Sequence, residues 1–158
     1  MTDAKDRAAG RLRAALDEQR AALGEPAWAG PADPETLARA CAFAVVAALR
    51  NGLTPVPGAL RAATRSLLDR LAARAPGKAV EVRVPPYAAV QCIEGPRHTR
   101  GTPPNLVETD PVTWVRLAAG LTRWDEAVAS GAVRASGVRA DLTAYLPLLL
   151  SGERGSGH

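Results

Sequence analysis

The first half of the chain carries its apolar residues at helical spacing. The pattern predicts a first helix over residues 2–24, a second that begins after Asp33 and closes at Asn51-Gly52, and a third over about 59–75. Asp33 is a favoured N-cap residue and Pro34 suits the first helical position, so the start of the second helix is well marked. Its centre, CAFAVVAALR, is apolar on almost every side and is predicted to be buried. Three helices therefore precede any strand.

The apolar period then changes from 3.6 residues to 2. Val80, Val82 and Val84 alternate with Glu81 and Arg83, which predicts a half-buried strand that Pro85-Pro86 ends. Three further strands are predicted over residues 88–94, 105–108 and 132–136, the first of them paired with the valine strand as a hairpin. The alternation favours a position for Arg83 and Arg134 on the face opposite the core.

The later helices are marked by their caps. Asp110-Pro111 has the same N-cap aspartate and first-position proline as the second helix, and it starts a helix that finishes at Gly120. A short helix follows over roughly 124–130. Asp141 is predicted to cap a final helix that runs through Leu150, in which Pro147 must distort the hydrogen-bond ladder. The last residues, 151–158, are predicted to form a flexible tail.

Composition and charge narrow the class of protein. With 158 residues, 47% of them apolar and 23% charged, the chain is typical of a globular protein. The net charge is +4, but Arg is interleaved with Asp and Glu, as in RLRAALDEQR, so no nucleic-acid partner is predicted. The longest uncharged apolar run, residues 40–49, is far shorter than the ~20 residues that span a bilayer. Because the start of the chain also lacks the apolar core of a signal peptide, a cytoplasmic location is predicted.

The two cysteines suggest no chemistry of their own. Cys41 and Cys92 lie on separate predicted elements and have neither CxxC spacing nor a histidine at ligand spacing. Buried free thiols are therefore predicted, with no metal site, no cofactor and no disulfide.

The segment GPRHTRGTPPN, residues 95–105, has no apolar period and collects polar donors. The predicted ligand-binding residues within it are Arg97, His98, Thr99, Arg100 and Asn105. Arginine forks suit carboxylate or phosphate, which favours an anionic head-group clamp at the mouth of an apolar pocket. The alternative is a structural loop whose arginines pair with Glu94, Glu108 or Asp110.

Catalysis receives little support from the sequence. His98 is the only histidine apart from the terminal residue, so it is the sole candidate for proton transfer near neutral pH. No recognisable nucleophile or phosphate-loop motif accompanies it, and no catalytic residue is predicted. Three aromatic residues, Trp114, Trp124 and Tyr145, either line a ligand cavity or fill the core, and core filling is the favoured interpretation.

Two parts of the chain resemble a known family. The chain has a helix from Asp110 to Gly120, a short helix from Glu126-Ala127-Val128 to Gly131, a strand from Val133 to Gly137 and a final Leu-rich helix from Asp141 to Leu150. This order resembles the closing half of the sterol carrier protein type-two fold. The run VEVRVPPYAAVQCIEGPRHTRGTPPNLVETDP is similar to the small bacterial sterol-carrier-like family. Together the two resemblances cover residues 58–150.

The resemblance implies an α+β fold with a mostly antiparallel sheet of about four or five strands, covered by helices that enclose an apolar tunnel. The sterol-carrier-like domain is predicted over residues 56–150. Residues 1–55 are an extra helical region that the module does not require, predicted to be an N-terminal extension that packs on the main domain. Relatives use the tunnel for fatty acyl chains, acyl-CoA or sterols, and the same module occurs appended to acetyltransferases and thiol-dependent isomerases. Fold alone therefore leaves function open.

Three functional hypotheses follow. The first is non-enzymatic binding or carriage of a small hydrophobic or amphipathic ligand whose anionic end meets Arg97, His98 and Arg100. The second is an interaction or regulatory scaffold that uses the N-terminal helices, in which the apolar stripe from Cys41 to Leu49 either covers the sheet or meets a second subunit in a homodimer. The third is an accessory enzyme that uses His98.

Overall fold

A computed structural model describes residues 3–96 and 105–149, which form two compact units. The first unit extends to Ser66 and the second begins at Leu67, so the boundary lies within a helix. The elements in chain order are helices α1 (Ala4–Ala22), α2 (Pro34–Arg50) and α3 (Pro57–Arg74), strands β1 (Val80–Val84), β2 (Ala88–Cys92) and β3 (Leu106–Thr109), helices α4 (Pro111–Ala118) and α5 (Trp124–Ala129), and strand β4 (Val133–Ser136). The predicted tail, 151–158, lies outside the described residues, and the division at residue 55 stays a prediction.

Helices α1 and α2 pack together in the first unit, around a core of Leu16, Trp28, Leu37, Ala40, Cys41, Ala44 and Ala62. Helix α2 begins as predicted, with the Asp33 carboxylate accepting a 2.9 Å hydrogen bond from the Thr36 N–H. That bond holds the pKa of Asp33 below its ordinary value. The segment between the two helices is held by Trp28, whose backbone N–H donates to Asp17 and whose indole donates to the Pro31 carbonyl.

The apolar stripe of α2 is already buried within the single chain. Seven of its residues are buried: Cys41, Ala42, Ala44, Val45, Val46, Ala48 and Leu49. Phe43 and Ala47 of the same stripe are half-buried. Whether the stripe covers the sheet or meets a second subunit in a homodimer stays a prediction.

The second unit is built on one open, mixed sheet of four strands in the order β2-β1-β3-β4. The predicted hairpin is confirmed, since β1 pairs antiparallel with β2, from Val80 opposite Cys92 to Val84 opposite Ala88. Strand β1 pairs parallel with β3, and β3 pairs antiparallel with β4. The expected mostly antiparallel arrangement is therefore corrected to a mixed sheet. The physical reason lies in where β3 begins. Strand β2 ends beside the start of β1, and the chain then crosses to the other side of β1, so β3 begins at the same end as β1 and runs parallel to it.

The two faces of the sheet differ in polarity as the alternation predicted. Val80, Val82 and Val84 of β1 are almost completely buried, as is their neighbour Val107 of β3. Glu81 and Arg83 lie on the other face, and the register places Glu108 and Arg134 beside them. The predicted position of Arg83 and Arg134 opposite the core is confirmed.

The predicted final helix, from Asp141 through Leu150, is wrong. The described part of that segment holds only a 3-10 turn over Thr143–Tyr145, and Leu146 is extended, with ψ 146°. The reason is Pro147, which disfavours helical backbone in the residue before it and cannot donate a ladder bond. Asp141 instead accepts hydrogen bonds from the backbone and hydroxyl of Thr143, which lower its pKa. The Leu148 and Leu149 N–H groups both donate to the Ala118 carbonyl at the end of α4, so this non-helical segment is tied to α4.

Candidate functional site

The predicted anion contacts fall in the connection between β2 and β3. Arg97, His98, Thr99 and Arg100 lie outside the described residues, which resume at Asn105. The segment 97–104 is called the β2–β3 loop below. Both of its flanks, residues 93–96 and Asn105, are described, and they form the base of the loop.

Asn105 anchors the downstream flank. Its side chain is buried, its Nδ2 donates to the Ala79 carbonyl at 2.9 Å, and its Oδ1 accepts from the Arg139 backbone N–H at 2.9 Å. The Glu81 N–H in turn donates to the Asn105 carbonyl, which starts the parallel pairing of β1 and β3. An amide can make four hydrogen bonds, so a ligand contact would use the remaining donor and lone pair. Asn105 therefore has a structural role at the base of the loop, and its predicted contact with a ligand stays a prediction.

Arg139 joins the two flanks, and the sequence alone did not single it out. Its backbone holds Asn105, and its Nη1 donates to the Glu94 carbonyl at 3.2 Å. Gly95 permits this approach, because a Cβ there would lie 2.8 Å from that Nη1 and 3.0 Å from the Ala79 Cβ. A guanidinium has five N–H donors, and Arg139 is exposed, so it can bind an anion while keeping the bond to Glu94. Arg139 lies in an aperiodic SGVRAD segment, and only its tertiary position marks it.

The upstream flank leaves the sheet through a strained residue. Ile93 has φ 67°, a left-handed conformation that is costly for a β-branched side chain. Two backbone bonds hold it there: its N–H donates to the Ala75 carbonyl at 2.7 Å, and its carbonyl accepts from the Ala79 N–H at 3.0 Å. Gly77, with φ 145°, leaves the necessary room, because a Cβ there would come within 2.1 Å of the Ile93 oxygen. The turn after α3 and the start of the loop are therefore one interlocked unit.

The three predicted aromatic residues occupy different environments. Trp114 on α4 is fully buried, so it contributes to the packed interior of the second unit. Trp124, the first residue of α5, and Tyr145, in the 3-10 turn, are partly exposed. Contact of any of the three with a ligand stays a prediction.

The interior side of the sheet is apolar and carries no activated thiol. Cys92 is completely buried beside Val80, and burial raises the pKa of its thiol to about 11. Burial, with a smaller contribution from Asp17, raises the pKa of Cys41 to about 12. Both thiols are therefore protonated at neutral pH and unsuited to nucleophilic attack. Within residues 3–96 and 105–149, no group of three metal-binding side chains lies close enough together to hold an ion.

The outer face of the sheet has an open depression of about 250 Å³, lined by Leu106, Glu108, Arg134, Ala135 and Ser136. Its charges neutralise one another, because Arg134 is hydrogen-bonded to Glu108, and Arg83 binds Glu81 through two bonds of 3.0 and 3.1 Å. Within residues 3–96 and 105–149, this face therefore has no uncompensated positive charge that would hold an anionic ligand. The pairing of Arg134 with Glu108 also shows that Glu108 already has an arginine partner outside the loop.

Comparison with known proteins agrees with the resemblance. A family model described as "bacterial SCP ortholog" matches residues 58–148, more than half of the chain. No curated protein matches. In the part of the chain that the structure describes, no helix is long and apolar enough to cross a membrane. The match covers nearly all of α3, the whole sheet, α4, α5 and the non-helical segment that follows β4. The chain therefore belongs to the bacterial sterol-carrier-like family.

Proposed function

We propose that the protein binds a small hydrophobic or amphipathic ligand, such as a lipid or acyl chain, and carries it without changing it chemically. The observation that carries the proposal is membership of the sterol-carrier-like family over residues 58–148. The proposed location is the cytoplasm, where the free thiols of Cys41 and Cys92 would stay reduced.

The anionic end of the ligand is proposed to meet the β2–β3 loop. The predicted contacts are Arg97, His98, Thr99, Arg100 and Asn105, with Trp114, Trp124 and Tyr145 beside the apolar part of the ligand. Arg139 supports this assignment, because its guanidinium adds a positive charge at the base of the same loop and its bonds hold both flanks. A cluster of arginines suits a carboxylate or phosphate, since each guanidinium can form two parallel bonds to such a group.

A passive role is favoured over catalysis by the state of the thiols. A thioester reaction at Cys92 would need a thiolate, and burial raises its pKa to about 11. The alternative hypothesis, an accessory enzyme that uses His98, can be tested directly. If His98→Ala leaves ligand binding intact but abolishes turnover of an acyl thioester, the protein is an enzyme and the carrier proposal fails.

Displacement of a fluorescent fatty acid from the natively purified protein tests the proposal, with mass spectrometry of extracted ligands as the second readout. The double variant Arg97→Ala, Arg100→Ala is expected to weaken binding about 10-fold or more, since charge-assisted bonds are worth roughly 1.5–3 kcal/mol. Arg11→Ala, which removes an exposed arginine of α1, is the matched control and is expected to bind like the wild type. Absence of both probe binding and extracted ligand in the wild type would refute the carrier function.

A further inference from the structure

One apolar side chain of the second unit projects completely into solvent. Among the residues that the structure describes, three large apolar side chains are exposed, and two of them, Leu53 and Val128, are only 41% and 39% exposed. Val138 is 99% exposed, so no part of the described chain shields it from water. A valine contributes hydrophobic stabilisation only when it is buried. Folding of the chain therefore gains nothing from this side chain.

The turn that carries Val138 is held by two hydrogen bonds. The Ala140 N–H donates to the Gly137 carbonyl at 3.2 Å, which places Val138 and Arg139 at the centre of a four-residue turn. The Arg139 N–H donates to the buried side chain of Asn105 at 2.9 Å. The central positions of such turns are usually taken by Gly, Pro, Asn, Asp or Ser, so the turn itself does not require an apolar residue. The fold therefore presents an apolar tip in a fixed place.

Two positive charges lie at the same end of the sheet as this tip. Arg139 follows Val138 directly, and its Nη1 is 2.8 Å from the position that a Cβ of Gly95 would take, which is itself 3.0 Å from the Ala79 Cβ. Lys78 precedes Ala79 and is exposed, as is Arg139. In the described part of the chain, neither cation forms an ion pair with a carboxylate. Both charges are therefore available to an anionic partner.

The Val138 end of the sheet has an excess of positive charge. Its described cations lie at the end of α3, before β1 and after β4: Arg74, Lys78 and Arg139. Its described carboxylates lie after β2 and after β4: Glu94 and Asp141. The β2–β3 loop leaves from this end and returns to it, and its sequence adds two arginines and no acidic residue. The connections at the opposite end, residues 85–87 and 130–132, have no charged side chain.

We propose, on the basis of the carrier function proposed above, that Val138, Lys78 and Arg139 form a docking surface for an anionic lipid bilayer. The Val138 side chain enters the boundary between head groups and acyl chains, and the two cations meet the lipid phosphates. An apolar tip beside cations suits such a surface, because burial of the apolar side chain and attraction to anionic lipids both contribute to binding. The loop proposed to hold the ligand's anionic end joins the sheet at this same end, so docking brings that loop to the bilayer.

A bilayer fits these features better than a nucleic acid or a protein partner. A nucleic acid would be held by the cations alone and would gain nothing from a projecting valine. A stable protein interface buries roughly 1,200 Å² or more, and one valine at a turn tip offers no such apolar face. Weak, reversible attachment to a membrane is compatible with a carrier, since the loaded protein has to leave again.

Co-sedimentation with lipid vesicles tests the contribution of Val138. The wild type is expected to bind phosphatidylcholine vesicles that contain about 30% phosphatidylglycerol, and to bind phosphatidylcholine alone more weakly. Val138→Ser is expected to weaken binding to the anionic vesicles about 5- to 10-fold, because the apolar contribution is lost. Val128→Ser removes the other exposed valine of the second unit, so it is the matched control and is expected to bind like the wild type. A wild type that does not bind, or equal losses in the two variants, overturns the proposal.

The two lysines of the chain, Lys5 and Lys78, form a matched pair for the charge contribution. Lys78→Ala is expected to weaken binding to the anionic vesicles about 5-fold, which is the effect of one basic residue close to an anionic surface. Lys5→Ala, on the exposed start of α1, is expected to bind like the wild type. Equal effects of the two variants contradict the proposed surface. Salt-sensitive binding that Val138→Ser leaves intact also contradicts it, because the contact is then electrostatic alone, as with a nucleic acid.

A fluorescent label tests insertion directly, whatever the size of the affinity change. Val138→Cys provides an exposed thiol, whereas Cys41 and Cys92 are buried, so an environment-sensitive dye attaches at residue 138. Its emission is expected to shift to the blue when anionic vesicles are added. The same dye on Val128→Cys is expected to show no shift. No shift at residue 138, or the same shift at both positions, excludes insertion of the Val138 tip.

Displacement of the fluorescent fatty acid without vesicles separates docking from carriage. Val138→Ser and Lys78→Ala are both expected to bind the fatty acid like the wild type, because neither residue is assigned to the ligand. If the wild type binds the fatty acid but no vesicles, the docking surface is refuted and the carrier function stands. If the wild type binds vesicles through Val138 but binds no fatty acid, the docking surface stands and the carrier function is refuted.

Discussion

The backbone N–H of Arg139 donates a 2.9 Å hydrogen bond to Oδ1 of Asn105, 34 residues earlier in the chain. The same arginine reaches the Glu94 carbonyl through its guanidinium, so one residue after β4 contacts both flanks of the β2–β3 loop. The loop that carries the predicted ligand contacts therefore begins and ends at fixed points, although its flanks are far from Arg139 in sequence.

Asn105→Ala is expected to lower the free energy of unfolding by about 1–3 kcal/mol, because it leaves the Ala79 carbonyl and the Arg139 N–H without their partner. Urea denaturation followed by circular dichroism measures the loss. Asn51→Ala is the control, since it also deletes an asparagine hydrogen bond, to the Ala47 carbonyl, but at an exposed helix end. The control is expected to cost about 0.5 kcal/mol or less. Equal losses in the two variants would contradict an anchoring role for Asn105.

Arg139→Ala is expected to make the β2–β3 loop more accessible to trypsin, which cleaves after arginine, because the bond to the Glu94 carbonyl is lost. Cleavage after Arg97 and Arg100, followed by mass spectrometry, is expected to accelerate several-fold. Arg139→Ala is also expected to weaken binding of the fluorescent fatty acid, whereas Arg139→Lys keeps the positive charge and is expected to recover part of the affinity.

Arg134→Ala is the comparison for that experiment, since Arg134 is an exposed arginine of β4 that pairs with Glu108 on the outer face. Its effect on cleavage and on affinity is expected to be small. If Arg134→Ala and Arg139→Ala act alike, Arg139 has no special connection to the loop.

Gly77→Ala is expected to be strongly destabilising, by about 2 kcal/mol or more, because its left-handed φ and the Ile93 oxygen both exclude a Cβ. Gly24→Ala provides the contrast, since Gly24 also has a positive φ but no atom within 4 Å of the position that a Cβ would take. Its cost is expected to be about 1 kcal/mol, from backbone strain alone. Thermal unfolding of the two variants measures the difference, and comparable melting temperatures would argue against the interlocked turn.

Alkaline pH is expected to destabilise the protein through its thiols. The pKa of Cys92 rises from 9.0 to about 11 on burial, so the folded state favours the neutral thiol. A folded pKa above the unfolded value gives stability that is complete below pH 9 and is lost as the pH rises through 11. The free energy of unfolding is therefore expected to fall by about 2 kcal/mol between pH 9 and pH 11 from Cys92.

Urea denaturation at pH 8, 9, 10 and 11 checks this dependence, with Cys92→Ala expected to flatten part of the slope. A thiol reagent at pH 8 is expected to label neither cysteine until the protein is unfolded, because both are buried. Rapid labelling of Cys92 in the folded protein would overturn the assignment of an inert thiol.

Local signals were sufficient for most elements. Asp33 with Pro34, and Asp110 with Pro111, predicted the starts of α2 and α4, and both aspartates accept the expected N–H three residues later. The valine alternation predicted β1 and the buried face of the sheet. These features are short-range, since a cap or a strand period depends on residues within one turn or a few positions of each other.

Pairing between distant segments was not predictable in the same way. The parallel contact of β1 with β3 depends on which side of β1 the returning chain adds to, and the polar pattern of β3 is compatible with either side. The importance of Arg139 had no local signature, because its partners Asn105 and Glu94 are 34 and 45 residues away.

The sequence by itself determined the helix starts, the hairpin, the apolar face of the sheet and the family. These features depend on helix caps, apolar alternation and motif order, which involve residues close together in the chain. The tertiary structure alone decided the mixed sheet, the acceptor that Leu148 and Leu149 find in Ala118, and the union of both loop flanks at Arg139. Those outcomes depend on hydrogen bonds between residues brought together only by folding. The helical pattern after Asp141 failed for a local reason, Pro147, but only folding brings the Leu148 and Leu149 N–H groups to the Ala118 carbonyl.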